Sequence, residues 1–305
     1  MSSLRSVRIA LAAFAGVALA APVFAQAPAQ QPFQVHQLKP DVYWVEGGGG
    51  NSGVIIGDKG VIIVDAKTTE AGGKELLAAV AKLTPKPVTT LIETHSDGDH
   101  VNGAAAFPKG ITIIAHQNDK AEQETALKAG GRGAPPAEHL PTKTVNKDKE
   151  KMKIDGVELE LLHWAPAHTS GDLVVFLPKE KIVFTGDIVA TQLPDPLIHL
   201  EKNGSSLGWL TTARGIAALD ADQFVPGHGD VQNKGQIYDR LEKAQAKRDK
   251  IASMVKDGKS LTDIQAAVDT PAPAGRAGGA GAGRGGRGPQ FASFTQVVYQ
   301  ELTRK

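Results

Sequence analysis

The chain has 305 residues, 41% of them hydrophobic and 22% charged, a balance that excludes a disordered composition and gives enough length for one substantial core. A formal net charge of +1 supplies no field that would draw nucleic acid or an anionic membrane. The absence of cysteine removes disulfides, thiolate metal ligands and a thiol nucleophile.

At the N-terminus, Arg5 and Arg8 precede an apolar run from Ile9 to about Ala21, and the small residues Val23 and Ala25 follow. This is the pattern of a secretory signal peptide over residues 1–25, with the mature chain starting near Gln26. The run is shorter than the roughly 20 residues of a membrane span, so the expectation is a periplasmic or secreted protein with no span left after cleavage.

A polar lead-in is followed by "DVYWVEGGGGNSGVIIGDKGVIIVDA", which alternates short β-rich runs with glycine turns and predicts a β-meander. "KELLAAVAKL" has helical spacing and "VTTLIETH" is a continuous apolar strand; together they predict a β-α-β unit that delivers its C-terminal end at His95. "VNGAAAFP" predicts a short helix and "GITIIAH" the next strand. Residues 118–150 are polar, with "AGGRGAPP" in the middle, and predict a helix followed by a loop bordering a site.

From Val157, "VELELLHW", "DLVVFLP" and "KIVFTGD" are spaced like consecutive strands of one sheet. A helix over about 207–219 leads to "QFVPGHGD", and "IYDRLEKAQAKRDKIASMVKDG" and "LTDIQAAV" are helical by periodicity. The domain plan is therefore a main domain over 26–268, a Gly/Arg/Pro-rich linker over 269–290, and a C-terminal helix over 291–305. That helix would dock through Phe291, Phe294, Val298 and Leu302.

The chemistry concentrates in "ETHSDGDH", residues 93–100. In extended backbone, residues two apart point the same way, so His95 and Asp97 can converge on one metal while the turn through Gly98 presents Asp99 and His100 toward a second. His168 in "APAHTSGD", Asp187 in "KIVFTGD" and His228 in "VPGHGD" each lie just past a predicted strand, where ligands gather in open sheets. Singly, each is more often a packed histidine or a turn aspartate. Together, seven imidazole and carboxylate groups beside glycines point to a metal centre.

At these motifs the chain, from about Val42 to about Val268, resembles the metallo-β-lactamase superfamily, whose usual motif is His-x-His-x-Asp-His. The resemblance implies an α/β fold of the αββα sandwich type, two mixed β-sheets flanked by helices, with two divalent ions in the cleft. It implies His95, Asp97 and His168 on the first metal, Asp99, His100 and His228 on the second, Asp187 bridging, and Asp65 as the buried aspartate supporting the ligand loop. It further implies hydrolysis of an ester, lactone or amide carbonyl by a metal-bridging hydroxide, with Asp99 orienting that water or passing on its proton. An aspartate at the bridging position is similar to the lactonase and glyoxalase II side of the family.

The departure is Asp97, where the family carries histidine. With three carboxylates in place of two, two divalent ions leave the cluster at +1 and a bridging hydroxide brings it to zero, one unit below the usual set. Zn²⁺ is the first expectation, and the added oxygen ligand admits Mn²⁺ or Fe²⁺. The opposed reading is a lost first site with a single ion in the second. His36, His116 and His163 read as packing or surface residues. After Asp187, "PDPLIHLEKNGSSLGW" resembles the family's substrate-side segment, making His199, Asn203, Ser205 and Trp209 substrate-contact candidates; helix capping is the competing role for Ser205 and Ser206. "GGGGNSG" lacks the ending of a phosphate loop and reads as a hairpin or flap. The expected partner is a small-molecule substrate; the runner-up activities are β-lactam hydrolysis, a mononuclear iron oxygenase of persulfide type, and ligand binding without turnover.

Overall fold

The computed structural model describes residues 33–130, 135–269 and 291–304. Two sheets carry the fold. The first has seven strands in sequence order: β1 (Gln34–Lys39), β2 (Val42–Glu46), β3 (Ser52–Ile56), β4 (Val61–Val64), β5 (Val88–Ile92), β6 (Thr112–His116) and β7 (Lys143–Val145). The second has five, in the order β12 (Gln223–Val225), β11 (Ile182–Phe184), β10 (Val174–Leu177), β9 (Val157–Leu162) and β8 (Lys149–Ile154).

Period-2 alternation on fully buried strands explains the layering. On β4, Ile62 and Val64 join the apolar cluster between the sheets, while Val61 and Ile63 pack outward with Leu76 and Val80 of helix α1 (Glu70–Leu83). On β10, Val175 and Leu177 point inward, while Val174 and Phe176 join the outer cluster with Trp209, Leu241, Ile264 and Val298. Those residues come from helices α4 (Ser206–Ala218), α5 (Lys234–Lys256), α6 (Leu261–Val268) and α7 (Phe294–Thr303). The layers are therefore α, β, β and α, as the family resemblance implies. Among the described residues, no helix is long and apolar enough to cross a membrane.

Strands β4, β5, β6 and β7 are parallel in the first sheet, as are β11 and β12 in the second. Asp65 follows β4, His95 follows β5, Asp187 follows β11 and His228 follows β12, so parallel pairing brings these strand ends out on common edges. Short helix α2 (Gly98–Val101) starts directly behind the ligand loop.

Several details differ from expectation. The polar lead-in contains β1, whose alternation is weak because its residues stay largely exposed at a sheet edge. The segment expected to be a loop after helix α3 (Gln117–Lys128) contains β7 and starts β8, a lysine-rich strand whose burial alternates between exposed and half-buried. Helix α7 docks through Phe294, Val297 and Val298, while Leu302 stays 38% exposed. The predicted leader over 1–25 and linker over 269–290 lie outside the described residues, except for Asp269.

Candidate metal centre

All seven candidate ligands converge. One ligand atom each from His95, Asp97, His168 and Asp187 lies within 4.8 Å of the others, and Asp99, His100 and His228 form a second group by the same measure. Asp187, a member of the first group, also faces the second: its Oδ1 is 3.4 Å from His100 Nε2 and its Oδ2 is 3.5 Å from His228 Nε2. The nearby Gly186 has φ +52°, and a Cβ there would press on Thr94, so a glycine is required to present the aspartate.

Three of the four imidazoles are aimed by a hydrogen bond at the other ring nitrogen, which leaves Nε2 for a ligand. His168 Nδ1 meets Leu197 O at 2.9 Å, His95 Nδ1 meets Thr94 Oγ1 at 2.9 Å, and His100 Nδ1 meets Asp65 Oδ2 at 2.8 Å. Asp65 also accepts from Thr94 N and Oγ1, both at 2.8 Å. One buried carboxylate thus ties β4 to the ligand loop and orients His100. Gly50 lies so close to the His100 ring that a Cβ would collide with it.

Charge is dense and desolvated here. Burial, then the neighbouring His100 and His168, holds His95 well below the usual imidazole value despite Asp97 and Asp187. For His168, burial pulls downward, but the hydrogen bond and charge of Asp97, with Asp187 and Asp172 beyond, raise it to about 9. Burial likewise opposes His100, yet Asp187, Asp65 and Asp99 hold it well above the ordinary value. Burial would raise Asp97 and Asp187; the facing histidines outweigh it and keep both carboxyls well below the normal range. A centre of this kind gives up protons when a cation replaces them.

The donor set fits divalent cations. His95 Nε2 and Asp187 Oδ1 are buried without a hydrogen-bond partner among the described residues, and the Nε2 atoms of His100 and His228 face each other at 3.4 Å. Orphaned donors converging on shared points are costly unless a cation satisfies them.

Asp97 occupies the N-cap position of α2 but makes no capping bond with its side chain. Its Oδ2 faces His168 Nε2 at 3.1 Å, His199 Nε2 at 3.6 Å and His95 Nε2 at 3.7 Å. Its Oδ1 accepts from Lys202 Nζ at 2.6 Å. Nothing in "HLEKNG" signals this lysine, which is 105 positions from its partner. Lys67, also unremarked in the sequence, is fully buried and donates to Val45 O at 2.7 Å and Gly50 O at 2.8 Å, pinning the glycine-rich flap; burial, against the pull of Asp65, Glu46 and Glu75, lowers it to about 7.

The substrate-side candidates separate. Trp209 is 1% exposed and donates Nε1 to Ile188 O at 2.8 Å, so it is a core residue behind the Asp187 turn, out of reach of substrate. Ser205 caps α4, accepting from Gly208 N; Ser206 instead bonds Glu301 from α7. Asn203 is exposed, with φ +55°, closing the turn over Leu200–Lys202. His199 is buried between the rings of His168 and Phe291, which gives it a place beside Asp97 instead of on an open wall. His116 and His163 stack on each other at 4.1 Å, and His36 stacks on Trp44, as packing residues do.

Comparison with known proteins agrees with this architecture. The chain is 31% identical over 176 residues to the 2,4-dinitroanisole O-demethylase subunit alpha of Nocardioides sp. (strain JS1661), covering 57% of this chain and 51% of that one. It is 28% identical over 194 residues to the metallo-beta-lactamase type 2 of Bacillus sp. (strain 170), covering 63% and 71%. The solved stereoselective inverting sec-alkylsulfatase Pisa1 from Pseudomonas sp. shares the fold with a TM-score of 0.68 at 17% identity, over 89% of this chain and 50% of that one. The chain thus spans about half the length of the O-demethylase subunit and of the alkylsulfatase. A family profile described as the metallo-beta-lactamase superfamily matches residues 45–228, from β2 to the last candidate ligand, and the chain belongs to that superfamily.

Proposed function

We propose that this protein is a metal-dependent hydrolase that cleaves an ester or lactone with water, and that it acts outside the cytoplasm. The observation that carries the reading is the convergence of seven imidazole and carboxylate groups into two clusters sharing Asp187, with His95 Nε2 and Asp187 Oδ1 buried and unpartnered. His95, Asp97 and His168 would hold one divalent ion, Asp99, His100 and His228 a second, and Asp187 both, with Zn²⁺ the first expectation. When bound, the ions supply Lewis acidity and an activated water at neutral pH.

The protein's own groups do the rest. Asp65 keeps His100 turned toward the centre. Asp99 is 36% exposed at its side chain and holds His228 Nε2 at 3.0 Å. Burial would raise its carboxyl, but His100 and His228 hold it low, so it is ionised and placed to take the attacking water's proton and deliver it to the leaving oxygen. In the overall step the carbonyl carbon gains hydroxyl, its bond to the leaving oxygen breaks, and the proton ends on that oxygen. Export is supported by the leader-like sequence of residues 1–25.

A second reading is favoured by the O-demethylase similarity: cleavage of an activated aryl ether, with a nitrophenolate as the leaving group. β-Lactam hydrolysis is the third arm, supported by the Bacillus relative. The mature chain should be loaded with Zn²⁺, Mn²⁺ or Fe²⁺ and offered an aryl ester, a lactone, 2,4-dinitroanisole and nitrocefin. Ester or lactone turnover that stops on chelation is expected; equal rates in loaded and stripped protein on every substrate would sink the hydrolase reading.

A further inference from the structure

The geometry points to Lys202 as the residue that makes Asp97 behave like the histidine it replaces: it neutralises the carboxylate and occupies one of its two oxygens. This rests on the two-cluster metal centre proposed above. Asp97 offers its oxygens to different partners, Oδ2 to His168, His95 and His199, and Oδ1 to Lys202 Nζ at 2.6 Å. An ammonium at hydrogen-bond distance from a largely buried carboxylate forms a strong charge-assisted contact.

The lysine is held in place from several directions. Its Nζ also donates to Ser96 Oγ at 2.9 Å, and Ser96 Oγ in turn bonds Glu122 on α3 at 2.5 Å. Glu122 takes its other bond from Ser170 at 2.8 Å, on the loop that carries His168. The backbone is fixed too: Lys202 N donates to His199 O at 3.0 Å, and Ser170 N donates to Lys202 O at 2.8 Å. The turn bearing the lysine and the loop bearing His168 are therefore tied to each other by hydrogen bonds.

Two consequences follow for a cation at the first cluster. A carboxylate paired with an ammonium is neutral as a unit, like imidazole, so the one-unit deficit expected from the aspartate substitution is offset within a single contact. With Oδ1 taken, the aspartate presents one donor atom where a free carboxylate can present two. Both features remove what would favour hard, oxygen-seeking ions, and the first site keeps a preference for Zn²⁺ over Mn²⁺.

The test is a chelator-competition titration of the metal-stripped full chain with Zn²⁺ and with Mn²⁺ separately. It compares wild type, Lys202→Met, Lys202→Arg, Asp97→His and the double variant, each checked for native circular dichroism. Releasing Oδ1 in Lys202→Met should raise the Mn²⁺-to-Zn²⁺ affinity ratio about tenfold. Lys202→Arg should stay within roughly threefold of wild type because the charge is retained. In the Asp97→His background, Lys202→Met should move the ratio less than about twofold. A merely structural lysine would weaken both ions alike and leave the ratio unmoved; that result, or an equal shift in both backgrounds, overturns the assignment. Should Lys202→Met not fold, Lys202→Leu, which likewise offers Oδ1 neither charge nor donor, carries the same expectation. Wild type binding less than about half an ion per chain would overturn the metal centre itself, and the assignment with it.

Discussion

The two ligand clusters are built differently although they share Asp187. In the first, His95 and His168 are essentially inaccessible, and Asp97 is surrounded by three imidazoles and one ammonium. In the second, His100 is sealed against Asp65, but Asp99 and His228 remain 36% and 17% exposed at their side chains. The first is a closed holder whose charge is balanced within the protein. The second opens to solvent through Asp99 and His228. Burial thus separates a closed half from an open half in a set of candidate ligands that look equivalent in the sequence.

The most damaging way to break this comparison is to remove what the halves share. Asp187→Ala should cost on the order of a thousandfold in kcat/KM, equivalent to several kcal/mol of lost transition-state stabilisation, and a metal titration should show both binding steps weakened. If only one step weakens, the aspartate belongs to one cluster.

Asp65→Asn acts on one half. It contacts His100 directly and reaches His95 only through Thr94. Second-cluster affinity should fall roughly ten- to a hundredfold while the first changes far less; equal losses in a two-step titration would contradict the division.

Proton competition sharpens the first cluster. His168 lies at about 9 in the metal-free protein, and a cation needs it neutral. Apparent Zn²⁺ affinity should therefore rise about tenfold per pH unit up to that value, then level off, when one proton is displaced. Stability runs the other way: because the folded value is raised, His168's contribution to the metal-free fold is complete below the ordinary value near 6.5 and is lost as pH climbs through about 9. Calorimetry in buffers of different ionisation enthalpy would count the released proton, and a pH-independent affinity would remove His168 from the site.

The smallest effect is expected outside both clusters. Trp209→Phe deletes the hydrogen bond to Ile188 O in the core and should cost about 1–2 kcal/mol in denaturant unfolding, with KM unchanged. A raised KM at unchanged stability would return Trp209 to the substrate wall.

The converging groups were legible because their signals are local. Histidine and aspartate beside glycine, placed just past apolar strands, mark candidate ligands in the linear order, whereas β4 and β10 are apolar and buried throughout, so the layer each of their residues faces emerged only with the packing of the sheets and helices. Strands β1, β7 and β8 were not legible, since edge strands filled with lysines, glutamines and glutamate carry few apolar residues, and β8 alternates only between exposed and half-buried positions. The substrate-side segment misled for another reason. A tryptophan and a serine near the bridging aspartate look alike as contacts, caps or core residues until the packing of α4 is known.

By itself, then, the sequence pointed to seven imidazole and carboxylate groups at strand ends, because short ligand motifs are properties of neighbouring residues; the αββα sandwich and the supporting role of Asp65 came from the family resemblance those motifs carry. Only the tertiary structure decided the state of Asp97. Its charge is balanced by Lys202, 105 positions away, and Coulomb's law acts on separation in space, which no reading along the chain can measure.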